Sequence, residues 1–374
     1  MTLKIGETIK KLRKEQDVTQ EKLAAYLNIS YQAVSKWENG TALPDITLVP
    51  KIANFFGITS DELLGLKPEE NNEELKKYEK EYYELGCKGK VLEKIKLSRR
   101  VLDLYPRNYQ WMLNLAYGLV SYGATTEQQK YRKEHKFIEE AIDLCERVLE
   151  DCTVDGIRHG AIQILCYNYP HIGKKEAAIR LAENMPDMFT CKEMLLSRIH
   201  SGEDCLKQNQ HNLRYMIDHS SSILYEMACR SDLREGFTIE ERIEILQTAI
   251  KLNQMMLGNE EKELLCSGKL SLYNLMIAKL HCQKNMPDKA IEYLLLAEKS
   301  AVDHDSALTL GEKKYNSIFF SHMTWDPRNI ITNWEGTLQE QLLYHLDDSC
   351  FDILRNKEEF KKLQKRVETN SSKK

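Results

Sequence analysis

Proline and glycine are scarce in this chain, which has 8 prolines and 17 glycines among its 374 residues. Sheet-rich folds need many turns, and turns favour these two residues, so their scarcity argues against a β-protein. Hydrophobic residues make up 42% of the chain, which is enough for the packed cores of two or three domains. The composition therefore predicts an all-α globular protein with almost no sheet.

Long apolar segments are absent as well. No run of about 18 uncharged apolar residues occurs, and charged residues lie within the first seven positions, Met-Thr-Leu-Lys-Ile-Gly-Glu. We therefore expect a cytoplasmic protein without a membrane partner. The ten cysteines include no C-x-x-C pair and none precedes Cys87. In a protein that is not secreted, such scattered cysteines are expected to be reduced thiols.

The sequence also lacks the patterns of common catalytic sites. Neither G-x-x-x-x-G-K-[ST] nor G-x-S-x-G occurs, and histidines such as His200, His211 and His219 show no H-E-x-x-H spacing. Pairs of acidic residues are common, but at 29% charged residues they arise by chance on solvated faces. We expect no enzyme activity, no cofactor and no metal site.

Residues 1–66 carry the signals of five short helices. Ile5, Ile9 and Leu12 recur at helical spacing and predict a first helix over about residues 5–16. The start and stop signals of the other four helices are Thr19 and Asn28, Ser30 and Asn39-Gly40, Pro50, and Thr59 with Glu62. The segment 19–40 therefore reads as two helices joined by a tight turn, the arrangement of a major-groove reader.

The charge of this region is balanced. The whole chain carries a formal net charge of −4, and residues 1–66 contain eight Lys or Arg against eight Asp or Glu. The cations nevertheless cluster at Lys10, Lys11, Arg13 and Lys14. Because binding to nucleic acid uses a local patch, the balance predicts modest nonspecific affinity and a shallow salt dependence, and does not exclude binding.

Several segments, in register across residues 19–64, resemble the Cro and lambda-repressor type, or XRE-family, helix-turn-helix domain. They are Thr19-Gln20, Leu23-Ala24, Val34-Ser35-Lys36-Trp37-Glu38-Asn39-Gly40, Pro44 and Asp61-Glu62-Leu63-Leu64. The resemblance implies a five-helix bundle that binds double-stranded DNA. It also implies that the residue matching Gln20 contacts a phosphate, and that those matching Arg13 and Glu38 pair to brace the first helix against the third. The residues that would face base edges are Tyr31, Gln32, Ser35 and Lys36.

Side-chain chemistry supports the same roles independently. Gln32 can bind adenine through two hydrogen bonds, and Lys36 can donate to guanine O6 and N7. Ser30, Gln20 and Asn39 are short polar residues near helix ends, which suits them to phosphates. The alternative for Tyr31 is a solvated ring that packs on its own helix. For Arg13 and Glu38, a structural role is favoured over a functional one.

Residues 67–74 contain no large apolar residue and predict a hydrophilic hinge between two domains. Beyond it, residues 75–367 alternate amphipathic stretches with breaks, such as those at Pro106, Pro170 to Gly173, Gly258 and Pro287. Leu102-x-Leu104-x-Pro106 and the residues after it resemble a junction of tetratricopeptide units, so we expect a helical-repeat solenoid. We expect the polar tail, 368–374, to be disordered.

Together these features predict a sequence-specific transcription regulator that binds a palindromic operator as a homodimer, since one such domain covers few base pairs. The repeat domain would serve dimerisation, ligand sensing or both. The combined architecture resembles the signalling-peptide receptors of Gram-positive bacteria, which suggests a peptide or protein in the repeat groove. The alternative is a protein-interaction adaptor or antitoxin-like module that uses the small domain for docking.

Overall fold

The computed structural model describes residues 5–64, 68–255 and 266–371, and the chain divides into two compact units, Met1–Glu81 and Tyr82–Lys374. In these described ranges, the only strands are β1 (Lys313–Lys314) and β2 (Thr324–Trp325), which pair as a minimal antiparallel hairpin. The remaining regular structure is helical. The expected all-α class is confirmed.

The first unit begins with five short helices that enclose one apolar core. They are α1 (Ile5–Glu15), α2 (Gln20–Leu27), α3 (Tyr31–Glu38), α4 (Val49–Phe56) and α5 (Ser60–Leu63). Each helix contributes apolar residues at helical spacing, and Ile9, Leu23, Val34, Ile52 and Leu63 are fully buried. The helix count agrees with the sequence-based prediction, and Ile5 and Ile9 of α1 are buried as their spacing indicated.

Local signals at the helix ends explain where these helices start and stop. The Thr19 hydroxyl accepts a hydrogen bond from the Lys22 amide at 3.2 Å, and Asn28 ends α2 in the left-handed conformation at φ 60°. Thr59 and Glu62 form a complete capping box at the start of α5. These ends are set by short-range chemistry, which is why the sequence predicts them well.

The predicted hinge at 67–74 differs from the structure. Helix α6 (Pro68–Cys87) begins at Pro68 and includes most of that segment, and the division between the two units, Glu81 to Tyr82, falls within this helix. Glutamate and lysine favour helix as well as solvent, and proline is well tolerated at a first helical position. The polar composition of the segment alone did not distinguish a hinge from a helix.

The second unit is a helical repeat, in which helices pack mainly on their neighbours in the sequence. The predicted breaks at Pro106, Pro170 to Gly173 and Pro287 all lie at helix ends, while Gly258 lies outside the described residues. After α6, the helices are α7 (Val91–Leu104), α8 (Tyr109–Ser121), α9 (Thr126–Glu134), α10 (Phe137–Asp151), α11 (Asp155–Asn168), α12 (Lys175–Glu183), α13 (Lys192–Ile199), α14 (Gly202–Cys229), α15 (Ile239–Met255), α16 (Ser267–Gln283), α17 (Pro287–Ala307), α18 (Leu338–Leu346) and α19 (Glu358–Ser371).

The last helices close the apolar core of this unit. Phe351 and Leu354, in a 3-10 turn before α19, and Phe360 and Leu363, in α19, are all fully buried against α16 to α18. Helix α19 continues to Ser371, so residues 368–371 of the tail that was expected to be disordered are helical, and 372–374 lie outside the described residues. Val367, the last apolar residue of α19, is fully buried, and the helix continues for about one further turn to Ser371. None of the described helices combines the length and apolarity needed to cross a bilayer.

A segment over residues 326–337, here named the strap, packs against the beginning of the same unit. The Tyr83 hydroxyl donates to the Asn329 carbonyl at 3.2 Å, and the Thr332 amide donates to the Gly86 carbonyl at 3.1 Å. Gly89 adopts a left-handed φ of 66°, and a Cβ there would lie only 1.9 Å from the Trp334 carbonyl oxygen. Only glycine therefore fits beneath the strap.

A G89A substitution is expected to lower the free energy of unfolding of the second unit by about 2–4 kcal/mol, because it adds a steric clash to the cost of the left-handed conformation. The matched control is G173A. Gly173 has a similar φ of 78°, but no described atom lies within 4 Å of a Cβ built there, so only the conformational cost of about 1–2 kcal/mol should appear. Chemical denaturation of the two variants measures the difference, and equal losses would contradict the close contact.

Candidate nucleic-acid interface

Helices α2 and α3 form a compact corner held by the core of the first unit. The connection between them is three residues long, 28–30, and both α2 and α1 pack on α3. Val34 and Trp37 are buried on the inner side of α3 and fix its rotation about its own axis. The opposite side of the helix is therefore presented to solvent in a defined orientation.

The outward side of α3 carries the four residues expected to face bases. Tyr31, Gln32 and Lys36 are exposed, and Ser35 is half-buried. The Tyr31 ring is 50% exposed, so it is not packed into the core. The structure thus brings Tyr31, Gln32, Ser35 and Lys36 together on one polar surface, the outward face of α3.

A charged cluster lies on the other side of the same helix. The Arg13 guanidinium donates to both carboxylate oxygens of Glu38, from Nε to Oε1 at 2.7 Å and from Nη2 to Oε2 at 3.1 Å. The Glu38 side chain is only 2% exposed, and Arg13 also donates from Nη1 to the Val18 carbonyl at 2.7 Å. This two-point contact ties α1 to the end of α3.

The protonation state of Glu38 follows from these contacts. Burial alone would raise the pKa of the Glu38 carboxyl, but hydrogen bonds from Arg13 and Gln20, with the charges of Arg13 and Lys10, lower the pKa below its usual value. The hydrogen bond to Glu38 likewise raises the pKa of Arg13. Both groups are therefore charged at neutral pH, and the pair is fully formed.

Gln20 and Asn39, two of the three expected phosphate contacts, make hydrogen bonds within the first unit that the sequence did not reveal. The Gln20 amide donates to Glu38 Oε2 at 2.9 Å, so Gln20 belongs to the charged cluster, with one of its two N–H bonds remaining for another acceptor. Ser30 lies at the N-cap position of α3, but its side chain makes no capping hydrogen bond, which corrects the expected cap. The Asn39 amide lies 3.5 Å from the Ser35 hydroxyl.

The two N-cap positions give a matched pair of variants. T19A removes a real capping bond and is expected to lower the free energy of unfolding of the first unit by about 1 kcal/mol. S30A removes no capping bond and is expected to change this free energy of unfolding by less than about 0.5 kcal/mol. Amide hydrogen exchange of α2 and α3 in the full chain measures both, and equal losses would show that Ser30 does cap α3.

The comparison with known families bears on this region alone. Residues 9–63, from within α1 to the end of α5, match the family described as Helix-turn-helix. These residues form a helix-turn-helix domain of the XRE type. Within the helix-turn-helix domain, α2 and α3 are the two helices of the motif. The polar side of α3 is the part of the motif that faces solvent.

Two known bacterial relatives align with parts of this chain. The HTH-type transcriptional activator BcrR of Enterococcus faecalis is 32% identical over 133 residues, which cover 33% of this chain and 60% of BcrR. The SPbeta prophage-derived regulator YonR of Bacillus subtilis is 37% identical over 59 residues, which cover 16% of this chain and 55% of YonR. The chain thus spans somewhat more than half of the length of each of these relatives.

One solved structure aligns over a longer range. It is the crystal structure of Bacillus thuringiensis PlcR in complex with the peptide PapR7 and DNA, and the alignment covers 80% of this chain and 98% of that chain. Identity is 15% and the TM-score is 0.31, so the two chains do not superpose closely enough to transfer any feature of PlcR.

Proposed function

We propose that this protein is a sequence-specific DNA-binding transcription regulator. The observation that carries the proposal is the exposed polar side of α3, where Gln32 and Lys36 stand clear of the core and have the hydrogen-bonding groups that read adenine and guanine. The buried inner side of α3 and its contact with α1 hold this surface rigid, as base reading requires. Since its target is chromosomal DNA, we place the activity in the cytoplasm.

Phosphate contacts would position the domain on the duplex. Gln20, Ser30 and Asn39 stand at the ends of α2 and α3, beside the surface that faces the bases. Because the acidic and basic residues of the region balance, electrostatic attraction contributes little, and specific contacts carry a larger share of the affinity. We therefore expect a shallow dependence of affinity on salt.

We further propose that the protein acts as a homodimer on a palindromic operator. A single α3 reads only a few base pairs, so two copies on half-sites about 34 Å apart, or a multiple of that distance, give the specificity that a regulator needs. The second unit supplies the surface for assembly and, in this proposal, the site for an effector. The architectural resemblance suggests a signalling peptide or protein as one effector.

Selection of genomic fragments with the purified full chain tests the DNA-binding proposal. We expect enrichment of one sequence that contains an inverted repeat, retained when competitor DNA is added. Sedimentation of the protein with and without the selected fragment then reports its oligomeric state. A chain that enriches no sequence contradicts the proposed function, and a monomer under both conditions contradicts the dimer alone.

A further inference from the structure

A cavity of about 830 Å³ opens in the second unit, between α11 on one side and α13 and α14 on the other. This volume lies within the range of sites that hold small organic ligands. The cavity belongs entirely to the second unit.

The wall of the cavity is mainly apolar and polarisable. Three methionines line it, Met188, Met194 and Met216, together with the ring of Tyr215. Met188 and Tyr215 are each 67% exposed, so the cavity is open to solvent on this side. Thioether side chains adapt to irregular apolar shapes, and an aromatic face attracts a positive charge. Such a wall suits a bulky apolar ligand better than a small hydrated one.

Hydrogen bonds hold the surroundings of the cavity in place. The Asp187 carboxylate accepts from the amides of Phe189 and Thr190, at 2.7 and 3.0 Å, and so shapes the segment before α13. The Asn212 amide donates to the Glu193 carbonyl at 3.0 Å, which fixes the start of α13 against α14. The start of α13 is therefore held in position against α14 beside the cavity.

The charged side chain that lines the cavity is negative. Glu193 is the single carboxylate among the described lining residues, and neither lysine nor arginine occurs among them. The other polar lining groups, Gln163, Asn212 and His219, supply hydrogen bonds. An anionic ligand would meet the Glu193 carboxylate without a cationic partner, whereas a cationic ligand would be attracted to it.

We propose that this cavity binds a lipophilic cation, that is, a bulky and largely apolar molecule with a diffuse positive charge. Its apolar surface is buried against the methionines, and its charge is balanced by Glu193 and the Tyr215 face. A diffuse charge loses little hydration on entering such a site, whereas a compact ammonium loses much more. In the proposed regulator, such a molecule is an effector of the second unit. This regulatory role rests on the proposed function, whereas the binding itself does not.

Two ions of the same shape and opposite charge test the proposal without DNA. Calorimetric titration of the full chain is expected to show binding of tetraphenylphosphonium and at least tenfold weaker binding of tetraphenylborate. E193Q is expected to weaken phosphonium binding about tenfold, which corresponds to about 1.4 kcal/mol. The matched control is E203Q, because Glu203 is an exposed carboxylate of α14 that pairs with Lys207 and does not line the cavity.

A cavity-filling variant, M216W, is expected to abolish binding of phosphonium while the protein stays folded by circular dichroism. Equal affinity for both ions, or equal effects of E193Q and E203Q, would overturn the cationic class of ligand. Phosphonium binding that M216W leaves unchanged would overturn the site. Binding of the phosphonium without any change in DNA affinity would leave the cavity assignment standing and would contradict only its regulatory role.

Discussion

Replacing Gln32 or Lys36 by alanine is expected to remove the preference of the full chain for its selected DNA sequence while nonspecific binding persists. Each side chain is exposed on the outward side of α3 and can make two hydrogen bonds to a base edge. Each such contact is worth about 1–3 kcal/mol, so each variant should lose roughly 5- to 150-fold in specific affinity. Binding titrations with the selected fragment and with a scrambled one measure this loss.

A charge-matched control separates base reading from attraction to phosphates. Lys11 lies on α1, and its side chain is 73% exposed. K11A removes the same charge as K36A and is expected to weaken binding slightly and equally for both fragments. Unchanged discrimination in both Q32A and K36A would contradict the assignment of these two residues, as would a loss of discrimination in K11A.

Replacing Glu38 by alanine is expected to lower the free energy of unfolding of the first unit by about 3–5 kcal/mol, because it leaves the Arg13 guanidinium without its partner in a partly buried site. The Gln20 amide loses its acceptor as well. Amide hydrogen exchange of α1 and α3 in the full chain measures the loss. The control is E15A, which removes a carboxylate that is 55% exposed and pairs with Lys11 on the surface, with an expected effect below about 0.5 kcal/mol.

The Glu38 carboxylate makes the stability of the first unit depend on pH. Its pKa in the folded state is lower than its usual value, so its contribution to stability is fully present above that usual value, about 4.3. The contribution is lost as the pH falls through the lowered folded pKa. An E38Q variant, which cannot titrate, should flatten this part of the stability profile. A profile that E38Q leaves unchanged would contradict the role of the cluster.

The sequence predicted the first unit well because its signals are local. Thr19, Asn28 and the pair Thr59 and Glu62 act within three or four residues along the chain, and the structure places each at the helix end that it predicts. The residues on the outward side of α3 were given by the family resemblance, and the buried Val34 and Trp37, three residues apart, agree with it. The positions of these helix ends could therefore be predicted without knowledge of distant contacts.

The features that the sequence did not reveal depend on distant parts of the chain or on ambiguous composition. The hydrogen bond from Gln20 to Glu38 joins residues 18 apart, and no local pattern encodes it. The hinge at 67–74 was placed from polarity, which an exposed helix and a loop share. The cavity of the second unit collects side chains from positions between 163 and 219, and no local sequence pattern marks it.

The strap makes the second unit depend on the completion of its own synthesis. Tyr83 and Asn329, which it joins, are 246 positions apart, whereas the stability of an ordinary linear repeat is a sum over adjacent units. The end of α6 therefore obtains these contacts only after the ribosome has delivered residues 326–337. Contacts of such long range form slowly, so chains truncated before the strap would expose the backbone at Gly86 and Gly89 and would be the natural targets of proteolysis.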